Sequence, residues 1–213
     1  MIDRMRFRPV SPDLLVDEVA DRVLARPATA WTRVAVDGAP PARPGDLADR
    51  LAEAVRLRGR PALRVSAADF LRPASLRFER GRLDPDARYA DWLDAGGLVR
   101  EVLAPLGPDG RGRVLPALWN AATDRSSRAS YVSLPPGGVL VLDGELLLGR
   151  GLPLEYTVHL WLSGPALARV FPETWALPAF SRYDHEVRPL HTADTGVRVD
   201  DPQHPALLDD SPV

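Results

Sequence analysis

Two chemically versatile residue types are missing from this chain of 213 residues: it has no cysteine, and all 27 of its Lys and Arg residues are arginine. Without cysteine there are no disulfides, thiolate nucleophiles, iron–sulfur clusters or cysteine zinc sites. Without lysine there is no Schiff base and no ammonium group to hold a phosphate. His185 and His191 are flanked by acids, but their spacing matches neither one helical face nor a common zinc pattern, so we expect no metal.

The chain also has no long apolar run and no large excess of one charge. No window approaches the roughly 18 apolar residues of a membrane span, and residues 1–10 carry three arginines without the apolar run of a secretory signal. A formal net charge of -2 argues against a surface that follows nucleic-acid phosphates. We therefore expect a cytoplasmic protein that binds neither membranes nor nucleic acid.

Short apolar runs alternate with helical stripes, and this order predicts an α/β fold. Residues 11–26 form a capped apolar stripe typical of a helix, and residues 33–38 read as a strand. A second stripe starts at Asp46, and Ala62–Ser66 reads as the next strand, which predicts a β-α-β unit with a right-handed crossover. Val139–Gly144 has the strongest signal of a buried central strand. We predict a single domain with a mainly parallel sheet flanked by helices.

The remaining segments complete the expected boundaries. We expect helical structure over residues 94–106, 164–169 and 175–187, and strands over residues 156–162 and 196–199. From Asp200 onward we expect an extended, acidic tail. The predicted organisation is an N-terminal arm over residues 1–10, a domain over residues 11–205 and a C-terminal tail over residues 206–213.

Aspartates follow three of the predicted strands. In an open parallel sheet, ligands bind outside the carboxyl ends of the strands, which makes Asp37, Asp69 and Asp143 candidate site residues. Asp37 and Asp143 each precede a glycine, and aspartate before glycine is also an ordinary turn pattern. For these two residues a structural and a functional role are both open.

Four segments together carry a resemblance to a known family. They are Val36-Asp37-Gly38, residues 67–73 (AADFLRP), residues 141–148 (VLDGELLL) and residues 199–202 (VDDP). In this order and spacing the chain resembles the uridine kinase-like P-loop proteins of high-GC bacteria, over nearly its whole length. The resemblance implies a P-loop nucleoside kinase fold. It also implies a nucleotide at the loop after the first core strand, a nucleoside beneath the second, and a lid towards the C-terminal third.

The expected phosphate loop is degenerate. Such a loop reads G-x-x-x-x-G-K-[ST], in which backbone N–H groups and lysine hold the phosphates and a hydroxyl binds magnesium. Counting from Gly38, Arg43 stands at the second glycine, Pro44 at the lysine and Gly45 at the hydroxyl residue. Asp46 follows at the start of the next helix, where we expect its carboxylate to accept the free helix N–H groups. These changes predict poor binding of a triphosphate.

The residues expected around the phosphate acceptor depart less from the family pattern than the phosphate loop does. By resemblance, Asp69 stands where the family has the general base for the nucleoside hydroxyl, and Asp143 where it has the acid of the magnesium shell. Between residues 165 and 175 there is no arginine-rich lid. Six further residues fall where the resemblance places base, sugar and lid: Arg72, Tyr89, Trp119, Arg125, Arg169 and Arg182. For each of these six, an ordinary core or surface role is also open.

The sequence leads to a preferred function and an alternative. The preferred one is a non-catalytic or strongly impaired kinase homologue that binds a nucleoside-like small molecule as a binding or regulatory module, with no cofactor. The alternative is an active ATP-dependent uridine or cytidine kinase that uses Arg43 and Asp143 to manage ATP and magnesium. A structural subunit of an assembly is a third reading. The ligand, the oligomeric state and any protein partner are left open.

Overall fold

The computed structural model describes residues 6–209, and a parallel sheet organises them. The strands are β1 (Phe7–Pro9), β2 (Thr32–Gly38), β3 (Ala62–Ser66), β4 (Arg113–Val114), β5 (Trp119–Asn120), β6 (Arg125–Ser126), β7 (Val132–Ser133), β8 (Val139–Gly144), β9 (Tyr156–Trp161), β10 (Thr195–Arg198) and β11 (Ala206–Leu208). The α-helices are α1 (Pro12–Leu24), α2 (Pro44–Leu57), α3 (Ala74–Arg77), α4 (Pro85–Ala90), α5 (Ala95–Leu98), α6 (Gly164–Val170), α7 (Leu177–Glu186) and α8 (Pro189–Thr192). Short 3₁₀ or π-helical turns lie at Pro40–Ala42, Ala67–Phe70, Val99–Leu103, Ala104–Leu106 and Thr174–Ala176.

The main sheet has the order β1-β11-β10-β9-β2-β8-β3. The five strands from β10 to β3 are parallel to one another, and β11 pairs antiparallel with both β10 and β1. β2 and β3 form the predicted β-α-β unit with α2, but β8 lies between them in the sheet. The predicted single-domain α/β fold with a mainly parallel sheet is confirmed.

Alternating side chains of the central strands fill two apolar layers. Val34 and Val36 of β2 face the side covered by α1 and α2, together with Val139 and Val141 of β8. Leu142 and its neighbours on the opposite face pack against the helical turns of residues 95–106. All five of these side chains are fully buried, as the apolar runs predict.

The prediction of an extended tail after Asp200 is wrong. Ala206–Leu208 forms a strand between β10 and β1, and the side chain of Leu207 is buried. The apolar run of residues 206–208 is too short to show periodicity. These residues form a strand because β10 and β1 pair with them on both sides. Residues 7–9 of the expected N-terminal arm form the edge strand β1. Residues 1–5 and 210–213 of the predicted arm and tail lie outside the described residues, and the domain boundaries stay a prediction. Across residues 6–209, no helix is long and apolar enough to cross a membrane.

Candidate functional site

A cavity of about 360 Å³ lies at the carboxyl ends of β2, β3 and β8, where the sequence predicts a site. Its walls come from the loop after each of these strands and from the segment around α4. The lining residues are Gly38, Pro40, Arg43, Pro44, Gly45, Asp46, Ser66, Ala67, Ala68, Leu71, Arg88, Trp92, Leu93, Asp143, Gly144, Glu145, Leu146 and Arg150. The cavity lining therefore combines apolar side chains with arginines and carboxylates.

The loop between β2 and α2 has few backbone N–H groups to offer an anion. The loop contains Pro40 and Pro41, and Pro44 is the first residue of α2; none of these three prolines has an N–H. The N–H of Ala42 donates to Ala39 O at 2.8 Å and that of Arg43 to Pro40 O at 3.0 Å, which closes a 3₁₀ turn. The N–H of Asp46 donates to Arg43 O at 3.1 Å. The three prolines thus have no N–H to offer, and the N–H groups of Ala42, Arg43 and Asp46 already have acceptors within this connection.

Arg43 and Asp46 pair with each other at the mouth of the cavity. Helix α2 begins at Pro44, because proline suits the first helical position, and Arg43 precedes it in a left-handed conformation with φ 56°. Asp46 therefore lies inside the first turn, and its carboxylate forms an ion pair with the Arg43 guanidinium. The expectation that this carboxylate caps the helix N–H groups is wrong, since α2 has no side-chain cap.

Arg64 of β3 occupies the space beside Gly45 and Asp143. Its Nη2 lies 2.9 Å from Asp143 Oδ1, and its Nε lies 3.3 Å from Asp49 Oδ1. A Cβ atom added to Gly45 would lie 2.9 Å from that Nη2 and 3.5 Å from Asp143 Oδ2. The Arg64 guanidinium thus lies between Gly45 and Asp143. A phosphate loop has its hydroxyl residue at the position of Gly45, and the resemblance places the acid of the magnesium shell at Asp143. Sequence reasoning missed Arg64, because one arginine in a short apolar strand looks like a solvent-facing residue.

Asp143 is enclosed by its partners. Its Oδ1 is shielded from solvent and faces Arg64, while its Oδ2 accepts a hydrogen bond from Ser66 Oγ at 3.2 Å. Burial raises the pKa of the Asp143 carboxyl, and the Arg64 charge and the Ser66 hydroxyl counteract that effect. The carboxylate predicted from sequence is in the cavity wall, but its charge already has a counter-ion.

Arg88 is a second cation that the sequence did not reveal, and it is buried. Its Nε and Nη2 bind the two Glu145 oxygens at 3.0 and 2.9 Å, and its Nη1 pairs with Glu173. The guanidinium carbon lies 5.1 Å from the centre of the Trp92 ring and 5.4 Å from that of Trp175. It lies in an arginine-rich segment without periodicity, so nothing in the sequence distinguishes it from its neighbours.

Asp37 has a structural role beneath the cavity. Its side chain is fully buried; Oδ1 accepts the N–H of Leu147 at 2.9 Å, and Oδ2 accepts the Tyr183 hydroxyl at 2.8 Å. His159 Nδ1 lies 2.7 Å from the same Oδ2. The Tyr183 oxygen in turn accepts the N–H of Leu148 at 2.9 Å. This network joins β2, β9, α7 and the loop after β8, and it satisfies every oxygen of a carboxylate that no ligand can reach.

Asp69, the second aspartate carried over by resemblance, does not line the cavity. It lies in the 3₁₀ turn after β3, partly exposed, while the neighbouring Ala67, Ala68 and Leu71 face the cavity. Partial burial raises the pKa of its carboxyl. The structure thus brings Asp143 and the loop residues together at one cavity and leaves Asp69 beside it.

The six other predicted ligand-binding residues also lie outside the cavity lining. Arg72, Arg125 and Arg169 are exposed. The Trp119 Nε1 donates to Asp124 Oδ1 at 3.0 Å. The Arg182 guanidinium lies 4.4 Å from the centre of the Tyr89 ring, whose hydroxyl donates to Glu186 at 3.0 Å. The binding role of these six residues stays a prediction. Over residues 6–209, no group of three or more His, Asp or Glu side chains could hold a metal ion.

No protein-family model and no curated protein matches this sequence. Solved structures do resemble it. A "Possible Uridine Kinase from Bacillus stearothermophilus" has a TM-score of 0.68 at 18% identity, covering 84% of this chain and 95% of that one. A "putative fructose transport system kinase from Silicibacter sp. TM1040" has a TM-score of 0.60 at 23% identity, covering 84% and 93%. The class is therefore defined at the level of the fold: the chain has the fold of P-loop kinases.

Proposed function

We propose that this chain binds a nucleoside-like small molecule in the cavity and does not transfer phosphate from magnesium ATP, so that it serves as a binding or regulatory module. The observation that carries the proposal is the Arg64 guanidinium beside Gly45, paired with Asp143. The proposal retains the sequence-based expectations of a cytoplasmic location and of no nucleic-acid or membrane partner.

The donor side of the cavity does not fit magnesium ATP. A triphosphate needs backbone N–H groups, but the three prolines have none, and the N–H groups of Ala42, Arg43 and Asp46 already have acceptors. Magnesium needs accessible oxygen ligands, but Asp143 Oδ1 is shut in against a guanidinium and position 45 has no hydroxyl. The Arg43 guanidinium at the mouth is held by the Asp46 carboxylate, so its charge is not free for a phosphate. Each of these features disfavours the triphosphate, so we derive no phosphoryl transfer.

The acceptor side suits a small, partly flat molecule. A cavity of about 360 Å³ is within the usual range for small ligands. Leu71, Trp92 and Leu93 supply apolar surface for the body of such a molecule. Polar groups of the opposite wall supply donors and acceptors for orientation. The structural similarity to proteins described as a possible uridine kinase and a putative fructose transport system kinase supports a small hydroxyl-bearing ligand.

Thermal melts with magnesium ATP test the absence of donor binding. Millimolar ATP at a micromolar site would stabilise the native state by about 4 kcal/mol, or roughly 8–16 °C for a chain of this size. We expect a shift within about 1 °C, the size of weak surface binding. A shift of several degrees that requires magnesium, together with conversion of uridine to its monophosphate, would replace the proposal with the active-kinase alternative.

Titration calorimetry with uridine tests the proposed binding of a nucleoside-like molecule in the cavity. Ala68 is exposed and lines the cavity, so Ala68→Trp fills the cavity without removing a buried side chain. Ala168→Trp on α6 is the matched control, since Ala168 is also exposed and lies outside the cavity lining. We expect uridine to bind the wild type and the control and to be lost from Ala68→Trp. Equal binding by all three proteins would place the ligand elsewhere.

A further inference from the structure

Arg150 stands out among the charged residues of the cavity because it has no carboxylate partner. Each carboxylate in the lining faces an arginine: Asp46 faces Arg43, Asp143 faces Arg64, and Glu145 faces Arg88. Within residues 6–209, Arg150 forms no ion pair with Asp or Glu. Of the three arginines in the lining, Arg43 and Arg88 are thus paired with carboxylates, and Arg150 is not paired with one among the described residues.

The backbone holds Arg150 in place. Its Nε donates to Leu146 O at 2.6 Å, its Nη2 donates to Tyr89 O, and its Nη1 lies 3.5 Å from Ala90 O. The last two carbonyls end α4, where a cation is favourable. Gly149 and Gly151 flank Arg150 with φ 75° and φ 69°, a conformation that glycine adopts without strain. The side chain is therefore oriented before any ligand arrives.

Carbonyl groups orient this cation but do not neutralise it. Arginine stays protonated even when buried, and it carries five N–H donors, of which neutral oxygens engage at most three. Burial lowers the pKa of Arg150, which reflects the cost of keeping a charge partly out of water. An anion in the cavity would lower that cost and accept the remaining N–H groups.

We propose that the ligand of this cavity carries an anionic group, a carboxylate or a phosphate monoester, which Arg150 binds while the body of the ligand lies against Trp92 and Leu71. This inference rests on the proposed function, since it specifies the charge of the nucleoside-like molecule. Arginine suits the task because its planar fork matches both oxyanions with two parallel hydrogen bonds. The exclusion of a triphosphate is compatible with it, because that exclusion arises at the α2 loop, where Asp46 and the prolines lie.

Three probes that share one body test the proposal: uridine, uridine 5′-carboxylate and uridine 5′-monophosphate. Their affinities are measured by calorimetry without divalent ions, at equal ionic strength. We expect both anionic probes, or one of them, to bind the wild type about 10–100-fold more tightly than uridine, the range of a charge-assisted hydrogen-bond pair. The two anionic arms distinguish a carboxylate from a phosphate ligand.

Arg150→Gln removes the charge, and Arg111→Gln is its control. Arg111 is exposed and adjoins Gly112, which packs beside Trp31 ahead of β2, at the opposite end of the sheet. The advantage of the anionic probes over uridine should fall to about twofold in Arg150→Gln and persist in Arg111→Gln. If Arg150→Gln fails to fold, Arg150→Lys keeps the charge and should retain part of the advantage. On the wild type, added salt should weaken the anionic probes but not uridine.

Each outcome bears on the two proposals differently. Binding of uridine and the anions with equal affinity would overturn the role of Arg150 and leave the proposed function standing. An anionic advantage that survives in Arg150→Gln would also overturn that role. Failure of all three probes to bind the wild type would overturn both proposals. An Arg150-dependent advantage in a protein that also phosphorylates uridine would support this inference and overturn the proposed function.

Discussion

Arginine carries every long-chain positive charge in this protein, and its surroundings decide what each one does. Arg64 neutralises Asp143, Arg88 lies between carboxylates and tryptophan rings, and Arg150 faces the cavity with only carbonyl partners. The guanidinium can do all three because it remains charged when buried and donates in several directions. A lysine at these positions would lose its proton more readily and would form fewer directed bonds.

The buried Tyr183 hydroxyl should contribute strongly to stability. Tyr183→Phe removes the donor to Asp37 Oδ2 and the acceptor of the Leu148 N–H. We expect a loss of about 1–3 kcal/mol in the free energy of unfolding, because buried polar groups are left without partners. Denaturant unfolding measures it. Tyr131→Phe is the control: Tyr131 is exposed, and its hydroxyl donates to Glu101, so a change within about 0.5 kcal/mol is expected. Equal effects would contradict the structural role of the Asp37 network.

The Asp143 carboxyl should make stability fall as pH rises. Burial raises its pKa in the folded state, so the folded protein holds this proton at pH values where the unfolded chain has lost it. The stabilisation from this bound proton is complete below the pKa of Asp143 in the unfolded chain, about 4. It is lost as pH rises through the higher pKa of Asp143 in the folded protein. We expect the melting temperature of Asp143→Asn minus that of the wild type to increase from about pH 4 to pH 7.

Asp69 also has a raised pKa, but it is present in both proteins and cancels in the difference. Melts in buffers of matched ionic strength provide the measurement. A temperature difference that decreases with pH would show that the Arg64 pair outweighs burial at Asp143.

At the scale of elements, the β2–α2 connection has become a structural turn. The 3₁₀ turn at Pro40–Ala42, the left-handed Arg43 and Pro44 at the first helical position form a short, internally bonded path into α2. A phosphate loop instead leaves its N–H groups open towards a ligand. The turn thus leads into α2 with the N–H groups of Ala42, Arg43 and Asp46 already engaged.

Restoring a phosphate loop should require a change in β3 as well. Arg43→Gly, Pro44→Lys, Gly45→Thr and Asp46→Thr together supply the missing groups. The new Cβ at position 45 would nevertheless meet Arg64 Nη2 at 2.9 Å, and Asp143 would keep its counter-ion. We expect the fourfold variant to gain little affinity for magnesium ATP and the fivefold variant with Arg64→Ser to gain about tenfold or more.

Calorimetry with ATP, with and without magnesium, compares the two variants, and Arg64→Ser alone shows the effect of opening Asp143 without the loop. Equal ATP affinity in the fourfold and fivefold variants would show that Arg64 does not block the site.

At the scale of the whole molecule, the two ends of the described chain close the sheet together. β11 pairs with β10 on one side and with β1 on the other, so the first and last described strands are neighbours at one edge. The cavity lies on the other side of β2, between β2, β8 and β3. Stability at the β1–β11 edge and binding in the cavity are therefore separable properties.

Leu207 should test whether that edge belongs to the cooperative unit. Its side chain is 3% exposed and belongs to the same apolar core as side chains of α1 and β2. We therefore expect Leu207→Ala to lower the free energy of unfolding by about 2–5 kcal/mol. Leu57→Ala is the control, because Leu57 is 81% exposed and should change stability by less than about 0.5 kcal/mol. Denaturant unfolding followed by circular dichroism compares them. A Leu207→Ala protein as stable as the control would mean that β11 folds separately.

The sequence by itself determined the elements whose signals are local. The apolar runs of β2 and β8 are long and end at Gly38 and Gly144, so their burial and the parallel sheet could be predicted. The position of Asp143 at a strand end beside the β2–α2 loop could also be predicted from residue order, because carboxyl ends of parallel strands meet at one edge.

Only the tertiary structure decided which charges meet. Arg64 reaches Asp143 because β3 lies beside β8, and that neighbourhood depends on the strand order rather than on sequence distance. Arg88 and Arg150 enter the cavity wall through irregular segments, where no periodicity indicates the direction of a side chain. The strand at Ala206–Leu208 likewise exists because β1 and β10 provide hydrogen bonds on both sides. Local sequence specifies backbone conformation and burial, whereas pairings between distant residues arise only when the sheet brings them together.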